Sequence, residues 1–184
     1  MEKTKLVLCG LLGVSVAINA LQATRLLRLA DSGAEQAVDG ELRPGAVVPS
    51  LELKDLAGRR VVIDYRAPTS TVLYVFRPSC TWCALNSKSL ASLAEQLPKD
   101  YRIIGLSLSS DGLEGFLHSH AIAFPVYREL SPGTLATYRV ESTPETIVVA
   151  PGGVVRASWK GAFVGTTRQL IETFFSVRLP EMQS

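Results

Sequence analysis

The sequence is poor in the residues that build metal centres and disulfide frameworks. Its 184 residues hold three cysteines and two histidines. Small stapled domains spread several bridges along the chain, which three cysteines cannot do. Cys9 stands inside an apolar N-terminal run, where it reads as a small apolar residue, so only Cys80 and Cys83 belong to the globular part. A structural zinc site takes four ligands and a catalytic one three. Two cysteines with the distant His118 and His120 supply no such set, and both histidines are expected to face solvent. No sign of charge dominates either: 19 basic side chains stand against 17 acidic ones, for a net +2. The surplus lies at the N-terminus, where Lys3, Lys5, Arg25 and Arg28 face only Glu2. Residues 31–184 keep 15 basic and 16 acidic side chains, a net −1. Nucleic-acid binding calls for a basic patch on the folded domain, so no nucleic-acid partner is expected. Internal repeats and low-complexity segments are absent.

What the chain does have is a globular composition. Apolar residues make up 47% and charged residues 20%, enough for one domain with a real core plus an appendage. The appendage is N-terminal. Leu6 to Leu21 carries no charge and follows Lys3 and Lys5. A spanning helix needs roughly 17–25 residues, which the run reaches if Gln22 to Leu27 contribute and Arg25 and Arg28 snorkel. Residues 1–30 are therefore expected to be a signal anchor, with the domain outside the cytoplasm. A cleaved signal peptide is the alternative, with Ile18 a poor −3 residue for cleavage after Ala20. Residues 31–43 read as a polar tether, 44–178 as the domain and 179–184 as a tail.

Within the domain, strands and helices alternate. Val61–Asp64 and Thr71–Phe76 are strand-like, and the apolar run Val72 to Phe76 suits a central strand covered on both faces. A helix is expected from Cys80 to Leu97, with Leu85, Leu90, Leu93, Ala94 and Leu97 as its apolar stripe and Pro98 as its stop. A strand over Arg102–Leu108 follows, then a helix from Gly112 to His120 capped by Asp111. Phe124–Arg128 reads as a strand, and Ser131-Pro132 opens a helix to Tyr138. Strand Thr146–Val149, a turn at Pro151-Gly152-Gly153 and a returning strand Val154–Lys160 precede a last helix from Thr166 to Val177. The order implies an α/β fold, a mixed sheet flanked by helices.

The chemistry is concentrated in Cys80-Thr81-Trp82-Cys83. Cys80 follows a buried strand and opens a helix, where unpaired N–H groups and the helix dipole favour a thiolate. In such motifs the thiol pKa drops from about 8.5 to roughly 3.5–7.5. Cys80 then attacks a substrate disulfide, and Cys83 resolves the mixed disulfide. A purely structural bridge would close a tiny loop and remove little chain entropy. Arg77 reads first as a surface arginine and second as a source of positive potential.

On these residues the chain from about Gly45 to Val177 resembles the membrane-anchored thioredoxin-like proteins of the TlpA type, within the redoxin (AhpC/TSA-like) group. Gly45 to Pro49 with Leu53 to Arg59 looks like their N-terminal extension, Phe76-Arg77-Pro78-Ser79 like their active-site strand end, and Tyr138 to Pro144 like their cis-proline segment. The resemblance implies a thioredoxin-like fold and a cis Thr143–Pro144 bond opposite the cysteines, with the Thr143 main chain receiving an extended substrate segment. It also implies protein thiols and disulfides as substrates, a membrane partner that relays electrons, and no cofactor beyond the redox-active pair. Three positions depart from the thioredoxin pattern. Tyr74 stands where an acid is expected six residues before the first cysteine, and Ser79 replaces a tryptophan. Trp82 instead lies between the cysteines, packing over the active site or contacting substrate, or else acting as partly buried filler. Glu145 reads first as a surface glutamate and second as a substitute acid.

The expected function is thiol–disulfide exchange on exported proteins. A peroxide-reducing redoxin is a rival, although Trp82 stands where the Pro-x-x-x-Thr/Ser-x-x-Cys loop needs threonine or serine after Pro78. A non-enzymatic binding or metal-delivery module is the other.

Overall fold

The computed structural model describes Gln22 and residues 42–181. Apart from Gln22, the expected anchor lies outside the described residues, as do Cys9 and most of the expected tether. Among the described residues no helix is long and apolar enough to cross a membrane.

Seven strands form one sheet: β1 (Leu51–Lys54), β2 (Arg60–Ile63), β3 (Ser70–Phe76), β4 (Tyr101–Ser107), β5 (Val126–Arg128), β6 (Glu145–Val149) and β7 (Val155–Lys160). Their order is β2-β1-β5-β4-β3-β6-β7. β3, β4 and β5 run parallel, and the other pairings are antiparallel. Between residues 42 and 181 five helices accompany the sheet: α1 (Thr81–Leu85), α2 (Ser87–Gln96), α3 (Leu113–Ser119), α4 (Pro132–Thr137) and α5 (Gly165–Phe175). The mixed sheet flanked by helices is the thioredoxin-like fold the sequence led us to expect.

β3 explains the centre of the molecule. From Thr71 to Phe76 it is buried, and its side chains alternate between two cores. Tyr74 and Phe76 pack on one side with Cys83, Leu90, Leu93, Phe163 and Ile171. Leu73 and Val75 pack on the other with Leu51, Leu53, Ile104, Leu106 and Ile147. Each fully buried aliphatic side chain contributes roughly 1.5–3 kcal/mol relative to exposure. Packing extends outward along the chain, for Leu42 and Leu179 are both buried.

Several expectations need correction. The helix expected from Cys80 to Leu97 is two helices, broken at Asn86. Asn86 turns its side chain inward, and Leu85 is left exposed instead of joining the apolar stripe. Pro98 does end α2: Leu97 before it is extended, as proline requires. Asp111 does not cap α3; Gly112 occupies that position without a side-chain bond. Ser131 does cap α4, accepting the Thr134 N–H at 3.0 Å. β1, for which the sequence was read only as part of an extension, is a four-residue strand joining β2 to β5. His118 is exposed as expected, but His120 is half-buried against the Phe116 ring, with centroids 4.5 Å apart.

Candidate active site

Cys80 lies just beyond the carboxyl end of β3, where open α/β sheets place their sites. Its backbone is extended and it caps α1. The Cys83 N–H donates to Cys80 Sγ at 3.1 Å, and the Cys80 N–H donates to Arg77 O at 3.1 Å. Cys80 and Cys83 are joined as a disulfide, with Cα atoms 5.2 Å apart. The two sulfurs differ in access: Cys80 is half-buried, whereas Cys83 is 1% exposed.

β6 brings the second half of the site. It runs antiparallel to β3, pairing Glu145 with Val75, so the residues just before β6 meet those just after β3. The Thr143–Pro144 bond is cis, as expected. Thr143 O lies 3.6 Å from Cys80 Sγ. Pro144 is buried and Thr143 half-buried. Trp82 is 56% exposed, so it is not filler. Arg77 and Ser79 face solvent.

The residues that depart from the thioredoxin pattern have definite places. Tyr74 is buried beneath the site, and its hydroxyl accepts a hydrogen bond from Asn86 Nδ2 at 3.3 Å. Burial pushes its phenol far above the ordinary range, with the Asn86 bond opposing. Glu145 is not a surface residue: it is 0% exposed, and Ser158 Oγ donates to its Oε1 at 3.2 Å. Its register opposite Val75 puts it on the sheet face away from Cys83. A substitute acid for Cys83 is therefore not found at that position. Among the described residues, no three His, Cys, Asp or Glu side chains are grouped to hold a metal ion.

Asn86 escaped the sequence reading. The available signal was its position: a polar residue inside an apolar helical stripe, three residues after Cys83.

A strand-to-helix disulfide facing a cis proline across the sheet end is a thiol-redox arrangement, and the AhpC/TSA family model matches residues 44–158. The chain belongs to the AhpC/TSA family. Its members are redox enzymes, and this chain brings Cys80 and Cys83 together as a disulfide at the start of α1. Solved structures share the fold. The thioredoxin domain of a thiol–disulfide oxidoreductase from Bacteroides vulgatus is 20% identical, with a TM-score of 0.60, covering 73% of this chain and 99% of that one. StoA from Bacillus subtilis is 16% identical, with a TM-score of 0.55, covering 70% and 98%. A peroxiredoxin-like protein from Aquifex aeolicus is 12% identical, with a TM-score of 0.58, covering 74% and 88%. None of the curated proteins compared with the chain matches it.

Proposed function

We propose that this AhpC/TSA enzyme is a thiol–disulfide oxidoreductase acting on disulfides of exported polypeptides. The asymmetry of the pair carries the reading: Cys80 reaches the surface beside Thr143 O, while Cys83 is shielded. Two-step exchange uses an accessible attacking thiolate and a protected resolving thiol. The Cys80 thiolate attacks a substrate disulfide, so one substrate sulfur bonds to Cys80 and the other leaves as thiolate. Cys83, as thiolate, then attacks Cys80 Sγ; the Cys80–Cys83 bond forms and the Cys80–substrate bond breaks. The substrate disulfide gains two electrons, the cysteine pair loses two, and the two enzyme thiol protons end on the substrate sulfurs. In reverse, the pair oxidises a dithiol.

In this reading the Thr143 main chain pairs with an extended substrate segment beside Pro144, and Trp82 covers the substrate residues flanking the disulfide. Residues 1–30 anchor the domain on the extracytoplasmic side, as Lys3 and Lys5 before the apolar run indicate. A membrane partner then relays electrons to the pair or accepts them from it. The potential of the pair sets the direction: about −270 mV makes it a reductant and about −120 mV an oxidant.

The test mixes reduced full-length protein with a disulfide-bonded polypeptide and follows thiol release. The reading expects release that Cys80→Ala abolishes. Peroxide consumed much faster than the polypeptide disulfide would replace it with the peroxide-reducing reading. For location, the expected result is retention in the membrane fraction after an alkaline wash; release by that wash would remove the anchor.

A further inference from the structure

The acid missing from beneath the site has been replaced by an uncharged network. Asn86 is 0% exposed, and a buried amide is costly unless its hydrogen bonds are made. Here they are made to two separate parts of the fold. Its Nδ2 donates to Tyr74 Oη on β3 at 3.3 Å, and its Oδ1 accepts the Phe163 backbone N–H at 2.9 Å. Its own backbone N–H reaches Trp82 O at 3.0 Å. One side chain thus ties β3 and the segment before α5 to the break between α1 and α2.

Cys83 precedes Asn86 by three residues, which places both on one side of the turn. Cys83 packs in the same core as Tyr74 and Phe163. The one fully buried charged side chain among the described residues, Glu145, lies on the other sheet face.

We propose that Asn86, held by Tyr74, is a positioning residue for the resolving thiol: it clamps the Cys80–Cys83 turn onto β3 and the Phe163 segment so that Cys83 is aimed at Cys80 Sγ. The proposal rests on the exchange reading and concerns its second step. In that step the Cys83–Cys80 bond forms, the Cys80–substrate bond breaks, and the departing substrate sulfur takes up the proton that Cys83 lost. An apolar residue at position 86 would fill the same space without fixing the turn to either partner.

The experiment mixes reduced full-length protein with 5,5′-dithiobis(2-nitrobenzoic acid) under stopped flow. One equivalent of aromatic thiolate is released when Cys80 forms the mixed disulfide, and a second when Cys83 resolves it. Asn86→Ala should leave the first phase unchanged and slow the second about five- to ten-fold, the effect of losing one or two buried hydrogen bonds. Tyr74→Phe keeps the ring and removes only the acceptor hydroxyl, so it carries the test if Asn86→Ala does not fold; its second phase should slow about three- to five-fold. Leu53→Ala, a cavity in the core on the other sheet face, controls for lost stability and should leave the ratio of the two phases as in wild type. If wild type releases no aromatic thiolate, the exchange reading fails. If wild type shows both phases but neither variant changes their ratio, or Leu53→Ala changes it equally, exchange stands and the positioning role is overturned.

Discussion

Cys80 Sγ lies 3.6 Å from the main-chain oxygen of Thr143, although 63 residues separate them. The antiparallel pairing of β6 with β3 makes that approach, because both residues sit just beyond the same end of the sheet. In the proposed exchange, a substrate bonded to Cys80 runs beside the Thr143 main chain and the exposed Trp82.

The exposure of Trp82 separates binding from folding. Trp82→Ala should lower kcat/KM on a disulfide-bonded polypeptide about ten-fold, the order expected of a single aromatic contact. Exchange with a small aromatic disulfide should change by less than about two-fold, and unfolding free energy by no more than about 0.5 kcal/mol. Equal losses on both substrates would show that Trp82 does not contact the polypeptide.

The turn between β6 and β7 gives a matched pair of glycine substitutions. Gly152 and Gly153 both have φ +81°, where a side chain costs roughly 1–2 kcal/mol. A Cβ on Gly152 meets nothing within 4 Å, whereas one on Gly153 would lie 2.4 Å from Val48 O. Gly153→Ala should therefore destabilise the domain clearly more than Gly152→Ala in urea unfolding. Equal effects would mean that the Val48 segment is not held against this turn.

Buried tyrosines set an alkaline limit. Tyr65 and Tyr138 share a hydrogen bond of 2.8 Å between hydroxyls, and Tyr138 also donates to Pro49 O. Burial pushes Tyr138 up to about 12, with the Tyr65 bond opposing. Tyr65 is pushed higher still, first by burial and then by Tyr138. A folded pKa above the unfolded value of about 10 favours folding fully below pH 10, and that contribution is lost as pH rises toward the folded pKa. Tm should fall between about pH 10 and 12, and less steeply in a Tyr65→Phe, Tyr138→Phe double variant. Parallel slopes would contradict the role given to these hydroxyls.

Much of this was legible in the sequence because local signals agreed with the fold. The run Val72 to Phe76 reads as a covered strand, Pro98 as a helix stop, and Ser131-Pro132 as a helix start; each is found in place. Cys80, Cys83 and the cis Thr143–Pro144 bond were reached through the motif and the resemblance it carries. What failed depended on contacts distant in sequence. Asn86 breaks the helix because its partners are Tyr74 and Phe163, which no helical period reveals. Glu145 is buried because its strand pairs on both sides, with β3 and β7, and composition alone makes a glutamate look exposed. β1 is no shorter than β2, but its Leu-Glu-Leu-Lys lacks the β-branched residues that mark Val61-Val62-Ile63 as a strand.

Trapping tests the central claim most directly. Reduced Cys83→Ala protein, incubated with a disulfide-bonded polypeptide, should accumulate a covalent adduct through Cys80 that a thiol reductant releases, while Cys80→Ala and the double variant should accumulate none. Absence of the adduct in Cys83→Ala, or equal adduct in Cys80→Ala, would contradict the assignment of Cys80 as the attacking thiol.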